Sequence, residues 1–172
     1  MNTNYPGYEQ VAVTVDLVVF TVNDDALNVM LVKRAEEPFA DRWSLPGGFL
    51  RSSESLEGAA LRVLKEKAGV EDVYVEQLYT FGDLARDPRA RVITVAYFAL
   101  IPWKELVPPP SDKVTDLMWA SATRLPKLAF DHREIVAYAV QRLRAKAGYS
   151  NYRDLFQICH LFDQDRGRKT IH

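Results

Sequence analysis

Only one cysteine, Cys159, stands among the 172 residues, so the chain cannot close a disulfide on itself, and a reducing, cytoplasmic setting is expected. Neither charge sign dominates: 22 Lys and Arg face 23 Asp and Glu, a net charge of −1, which argues against a general nucleic-acid-binding or membrane-binding surface. No hydrophobic run is long enough to span a bilayer, and the polar start MNTNYPGYEQ lacks the features of a signal peptide. Internal repeats and low-complexity tracts are missing too. What remains is the profile of one globular domain with a sizeable core and a short appendage.

The first ten residues read as a loose arm, since Pro6 and Gly7 oppose regular structure; Tyr5 and Tyr8 are free to dock from it. Residues 11–20, VAVTVDLVVF, form an almost unbroken β-branched run and predict a central strand, followed by a turn at Asp24-Asp25 and a second strand over 27–33. Asp16 interrupts the first run and is expected at a solvated edge of the sheet. Lys33, Arg34 and Arg42 lie on the approach to a Gly-Gly pair and are candidate phosphate contacts, with solvated surface cations as the alternative.

Residues 43–70 hold most of the chemical information. Pro46, Gly47 and Gly48 punctuate a strand end, let the backbone turn, and permit close approach of whatever lies above. A helix follows, with Ser55 as N-cap, Glu57 in the first turn where the dipole favours negative charge, and Gly69 as the left-handed terminator. Leu56, Ala59, Ala60, Val63 and Leu64 recur at helical spacing and predict a face packed on a sheet. Glu54, Glu57, Arg62, Glu66 and Lys67 fall on the other side.

This stretch resembles the Nudix box, Gly-x5-Glu-x7-Arg-Glu-U-x-Glu-Glu-x-Gly-U with U a bulky aliphatic residue. Gly48, Glu54, Arg62, Leu64, Glu66, Gly69 and Val70 stand in register with it. The resemblance implies an α/β Nudix fold, an α/β/α sandwich around a mixed sheet. It also implies that residues at positions 63, 66 and 67, spaced i, i+3, i+4, share a helix face and hold the magnesium that bridges a substrate diphosphate. Here that trio is Val63, Glu66 and Lys67, so its charge is zero and an ammonium stands beside the one carboxylate.

Three readings follow. The helix keeps the ligand pocket without the chemistry, Lys67 supplying a diphosphate with the positive charge magnesium would bring. Alternatively, a weaker magnesium site survives on Glu66, Glu54 or Glu57 with a general base from elsewhere, Glu66 and Arg62 then being catalytic. In the third, the helix is a structural brace, with Val63 in the apolar face and Lys67 in solvent.

Further strands are predicted over 73–81, 91–101 and 115–120. Between the first two, GDLARDPRAR is a turn by composition; Arg86, Arg89 and Arg91 are candidate contacts for an anionic ligand, and Asp83 and Asp87 the carboxylates nearest to hand for a residual metal site. The proline run PPP breaks the pattern after Trp103. Asp131 with Glu134 makes a capping box, and Ile135, Val136, Ala139, Val140 and Leu143 mark a second helix closed by Gly148. His132 beside Asp131 does not face it on a helix, which argues against a paired catalytic role.

LAFDH, VEQLYTFGD and RDPRARVITVAYFAL are similar to the Nudix-like domain of bacterial Nudix-related repressors of NAD metabolism. Members of that group often carry an eroded box, bind ADP-ribose or a related nucleotide sugar, and pass the signal to a C-terminal winged helix. Relatives with an intact box are ADP-ribose or sugar-nucleotide pyrophosphatases. On this basis residues 11–148 are assigned to the Nudix domain and 149–172 to a short helix, over 152–162, and a polar tail. That remainder is too short for a winged helix, so DNA is not an expected partner without a dimer, a partner protein or a further segment. The tail's RGRK is read as solvated, and Cys159 and His160 as structural, having no neighbours at metal-ligand spacing.

The expectation is therefore a homodimeric Nudix-fold protein that binds a nucleoside diphosphate linked to another moiety, most plausibly ADP-ribose, through Gly47, Gly48, Lys67, Arg34, Arg42 and Arg89. It would be hydrolytically impaired, need no cofactor and act as a sensor or regulator. The alternative is a magnesium-dependent pyrophosphatase with displaced carboxylates and a weak metal site on Glu66 and Glu54.

Overall fold

The computed structural model describes residues 10–103, 106 and 112–146. The β-branched run becomes β1 (Ala12–Asn23), and the Asp24-Asp25 turn, with both residues at positive φ (50° and 56°), returns the chain into β2 (Ala26–Arg34). Two left-handed residues give the twist that a tight hairpin needs, which Asp tolerates better than most side chains. Short strands β3 (Trp43–Ser44) and β4 (Gly47–Phe49) precede helix α1 (Leu56–Ala68). Then come β5 (Glu76–Phe81), β6 (Val92–Leu100), β7 (Val114–Ser121) and helix α2 (His132–Lys146).

β1 is the centre of one mixed sheet. It runs parallel to β6 from Ala12↔Val92 to Phe20↔Leu100, and antiparallel to β2 and β4 on its other side. β5 forms one edge beyond β6, while β2 also carries β3 and β7. Alternation along β1 sorts its side chains onto two faces. Val15, Leu17 and Val19 pack with Ala59, Ala60, Val63, Leu64 and Ala68 of α1. Val18, Phe20 and Val22 pack with Ile135, Val136, Ala139 and Leu143 of α2. A helix on each face of a mixed sheet is the expected α/β/α sandwich. Among the described residues no helix is long and apolar enough to cross a membrane.

Both ends of α1 are as the sequence indicates. The Ser55 hydroxyl accepts from Gly58 N at 3.0 Å, and Gly69 at φ 60° donates back to the last turn. Three expectations need correction. Gly47 and Gly48 lie in strand β4 rather than a loop, paired to Asp16 and Val15; glycine is required there by space, since a β-carbon on Gly47 would overlap the Asp16 carboxylate and one on Gly48 would lie 3.0 Å from Val63 Cγ2. β5 begins at Glu76 rather than at 73. α2 does begin after Asp131, but the Asp131 carboxylate is taken by Arg86, which donates to both its oxygens at 2.9 Å. The N-terminal arm with Tyr5 and Tyr8, the proline run, Gly148, the 152–162 segment, Cys159, His160 and the RGRK tail lie outside the described residues.

Candidate ligand-binding site

β1 cannot pair with β2 along its whole length. β2 holds Phe20 to Asn23, whereas Thr14 to Asp16 are held by β4, and Leu17 N donates to Pro46 O at 2.9 Å between them. Where the two partners part, the sheet opens into a cavity of about 320 Å³. It is lined by Thr14 and Asp16 of β1, by Gly47, Gly48 and Phe49 of β4, and by Arg62, Val63, Glu66 and Lys67 of α1. Arg34, Glu36, Arg86, Asp87, Arg89, Lys113, Phe130 and His132 complete much of the remaining wall. With Arg51, seven cationic side chains face four carboxylates, so the cavity favours anions.

Asp16 is only 6% exposed, which overturns its expected place at a solvated edge. It is in phase with Val18 and Phe20, on the face that α2 covers, and so it must be paired to be buried. Arg86, itself 7% exposed, supplies the pairing: its Nη2 lies 3.4 Å from Asp16 while the same guanidinium clamps Asp131. Burial works to lower the Arg86 pKa, but Asp131 and Asp16 outweigh it and the net direction is upward. His132 closes the group. Its Nδ1 accepts from Leu45 N at 2.9 Å, which puts the proton of the neutral ring on Nε2, 3.7 Å from Asp16 Oδ1. Burial pushes this imidazole below its usual pKa, against the pull of Asp16 and Asp131.

Glu54, just before α1, and Glu66 on it are tied to arginines. Arg62 donates to both oxygens of Glu54 (2.7 and 2.6 Å), to Glu66 at 3.0 Å and to Phe49 O at 3.1 Å. Its hydrogen bonds hold the Glu54 carboxyl down at about 2. Arg51 takes the other Glu66 oxygen at 3.0 Å. Val63 is buried against Gly48, and Lys67 lines the cavity, its ammonium pushed below its usual pKa by burial although Asp16 pulls it up. Among the described residues no three His, Cys, Asp or Glu side chains are grouped to hold a metal ion. An apolar side chain, an ammonium and a carboxylate engaged by two arginines do not fit the magnesium cluster of the box.

Arg89 is fixed by Asp87, whose carboxylate accepts from its backbone N (3.0 Å), Nε (3.0 Å) and Nη2 (2.7 Å). Asp87, one of the two carboxylates named from sequence as nearest to hand for a residual metal site, is thus committed to Arg89. The Arg89 guanidinium lies 5.5 Å from the Phe49 ring centroid and 5.8 Å from that of Phe130. Arg34 lies 5.0 Å from the Phe130 ring and donates to the carbonyls of Pro38 and Glu36.

Of the residues singled out from sequence, Gly47, Gly48, Arg62, Glu66, Lys67, Arg34 and Arg89 meet at the cavity. Arg42 stands instead over Phe39, Lys33 beside Asp41, and Arg91 donates to the carbonyls of Gly82 and Asp83. Asp83 accepts from Ala85 N in its own loop, and Glu54 sits behind Arg62. Sequence reasoning missed Asp16, Phe49, Lys113, Phe130 and His132. For Asp16 the signal was present, in its phase along β1.

Residues 11–139 match the family described as the NUDIX domain. The chain belongs to the Nudix family. It is 35% identical over 147 residues to the ADPR responsive transcriptional repressor NtrR of Acinetobacter baylyi, covering 83% of this chain and 58% of the repressor. It therefore spans under two thirds of that relative's length. To an ADP-ribose pyrophosphatase of Methanocaldococcus jannaschii it is 33% identical, over 77% of this chain and 75% of that one. Among solved structures, the Nudix domain of Shewanella oneidensis NrtR complexed with ADP ribose superposes with a TM-score of 0.73 at 39% identity, covering 83% of this chain and 94% of the other.

Proposed function

We propose that this Nudix domain binds a nucleoside diphosphate linked to a second moiety, ADP-ribose being the foremost case, without dependence on magnesium, and acts as a ligand sensor rather than an efficient hydrolase. The observation that carries the reading is Lys67: an ammonium lines the cavity on the α1 face where the box would place a metal-binding glutamate. Desolvation already penalises that ammonium, so an incoming anion relieves the penalty and gains charge-assisted hydrogen bonds. Arg34 and Lys113, both close enough to depress the Lys67 pKa, extend the same cationic field for the second phosphate. The bound ADP-ribose of the Shewanella relative supports the choice of ligand.

A second reading has one observation in its favour. Glu54 and Glu66 are bridged by a single guanidinium, so two carboxylates stand close together beside the cavity, and one relative is an ADP-ribose pyrophosphatase. Isothermal titration with ADP-ribose, with magnesium and with chelator, followed by assay of the recovered ligand, separates the two. Binding that ignores magnesium with intact ligand recovered supports the sensor; binding that requires magnesium with AMP appearing establishes the hydrolase.

A further inference from the structure

Leu45, Leu50, Val63 and Phe130 share the cavity wall with its charged side chains, and one further lining residue is a large aromatic that is 48% exposed. Phe49 ends the short strand β4, one residue past Gly48, and its ring is turned toward the cavity rather than into either core. A bulky ring left in water beside a ligand-sized cavity is more informative than a scattered surface aromatic. It is not bare. Arg89 lies over it at 5.5 Å, and the buried carboxylate of Asp87 holds that guanidinium at two points, Nε and Nη2, and the Arg89 backbone N at a third. Phe130, 5.8 Å from the same guanidinium, stands on a backbone at φ 51°, a conformation that bulky side chains rarely adopt and that surrounding structure must enforce. Arg34, Phe39 and His132 all pack on that ring.

We propose that Phe49 and Arg89 form the nucleobase subsite of this cavity, with the base stacked on the Phe49 ring and the Arg89 guanidinium as its second plane. The proposal rests on the reading of the cavity as a nucleoside-diphosphate site. Two stacking contacts of about 3.5 Å each need about 7 Å between the planes; the Arg89 Cζ is 5.5 Å from the ring centroid and no farther than that from the ring plane, so Arg89 must lift by at least about 1.5 Å. A long, half-exposed side chain allows that movement, and Asp87 limits how far it goes. Phe130, crowded by its own neighbours, gives the same guanidinium a second aromatic neighbour at 5.8 Å. A planar π-face and a cation discriminate little between bases, so the subsite selects an aromatic ring rather than a particular purine.

The test titrates ADP-ribose and inorganic pyrophosphate into the wild type, Phe49→Ala and Phe49→Tyr, and records adenine ultraviolet absorbance on binding. Loss of one base–ring stack corresponds to a five- to hundredfold weaker affinity, roughly. The expected result is that loss for ADP-ribose in Phe49→Ala, recovery in Phe49→Tyr, and an absorbance drop in the wild type and Phe49→Tyr only. Equal weakening toward both ligands, or wild-type affinity in Phe49→Ala, overturns the subsite while leaving the cavity's function standing. A wild type that binds no ADP-ribose overturns both.

Discussion

Asp16 and Gly47 face each other across β1 and β4 so closely that a β-carbon at position 47 would overlap the Asp16 carboxylate. The carboxylate cannot swing away, because Arg86 and His132 pack on it and it is buried. Gly47→Ala is therefore expected to cost about 1–3 kcal/mol through overpacking, read as a lower denaturation midpoint with an unchanged slope. An unaffected midpoint would mean the Asp16 network yields more easily than its burial suggests.

Arg86 neutralises two carboxylates, Asp16 and Asp131, that share almost no water. Arg86→Met leaves both without their cation, and removing one partner of a buried ionic group costs about 3–5 kcal/mol. Chemical denaturation should show a loss of that size. Arg86→Lys should recover only part of it, because an ammonium cannot reproduce the two-point hydrogen bonding to Asp131. A loss under about 1 kcal/mol for Arg86→Met would mean that water reaches these carboxylates.

The parts legible in the sequence were those set by local chemistry. α1 was bounded by its own caps, Ser55 and Gly69, and its packed face by helical spacing. The central strand followed from the almost unbroken β-branched run of residues 11–20, and the sandwich from the Nudix resemblance of residues 43–70. Asp16 was misjudged because a lone carboxylate in an apolar strand signals burial only if a partner exists, and its partner Arg86 is 70 residues away. His132 was hidden for the same reason: the group it accepts from, Leu45 N, is 87 residues distant. Asp131 correctly marked the start of α2, but local capping logic could not anticipate that a guanidinium from the β5–β6 connection would take both of its oxygens.

Acid should destabilise the fold in two stages. Burial lowers the His132 pKa from its ordinary 6.5, so as pH falls through about 6.5 the unfolded chain takes up a proton that the folded chain refuses. Stability from this source is complete above that pH and declines toward the lowered folded value. Glu54, held at about 2 against an ordinary 4.5, adds a second decline between those values. Denaturant midpoints measured from about pH 8 to about pH 2 should fall first from near pH 6.5 and again below about pH 4.5. The upper stage should flatten in His132→Gln; an upper slope that survives that substitution assigns it to another group.

Lys67 separates the sensor from the hydrolase most directly. In the sensor its ammonium meets the diphosphate, and a hydrogen bond to a charged group contributes about 1.5–3 kcal/mol. Lys67→Met keeps the length and the buried stem but removes the charge, so ADP-ribose affinity in chelator should fall roughly ten- to hundredfold. The dependence of affinity on salt should weaken as well, because one fewer cation faces the phosphates. Lys67→Glu should go further, abolishing magnesium-free binding by setting a carboxylate beside Glu66 and against the ligand's charge. If Lys67→Met instead binds ADP-ribose as the wild type does in chelator, Lys67 does not stand in for a metal, and the anionic end of the ligand is held by the other cationic side chains of the cavity.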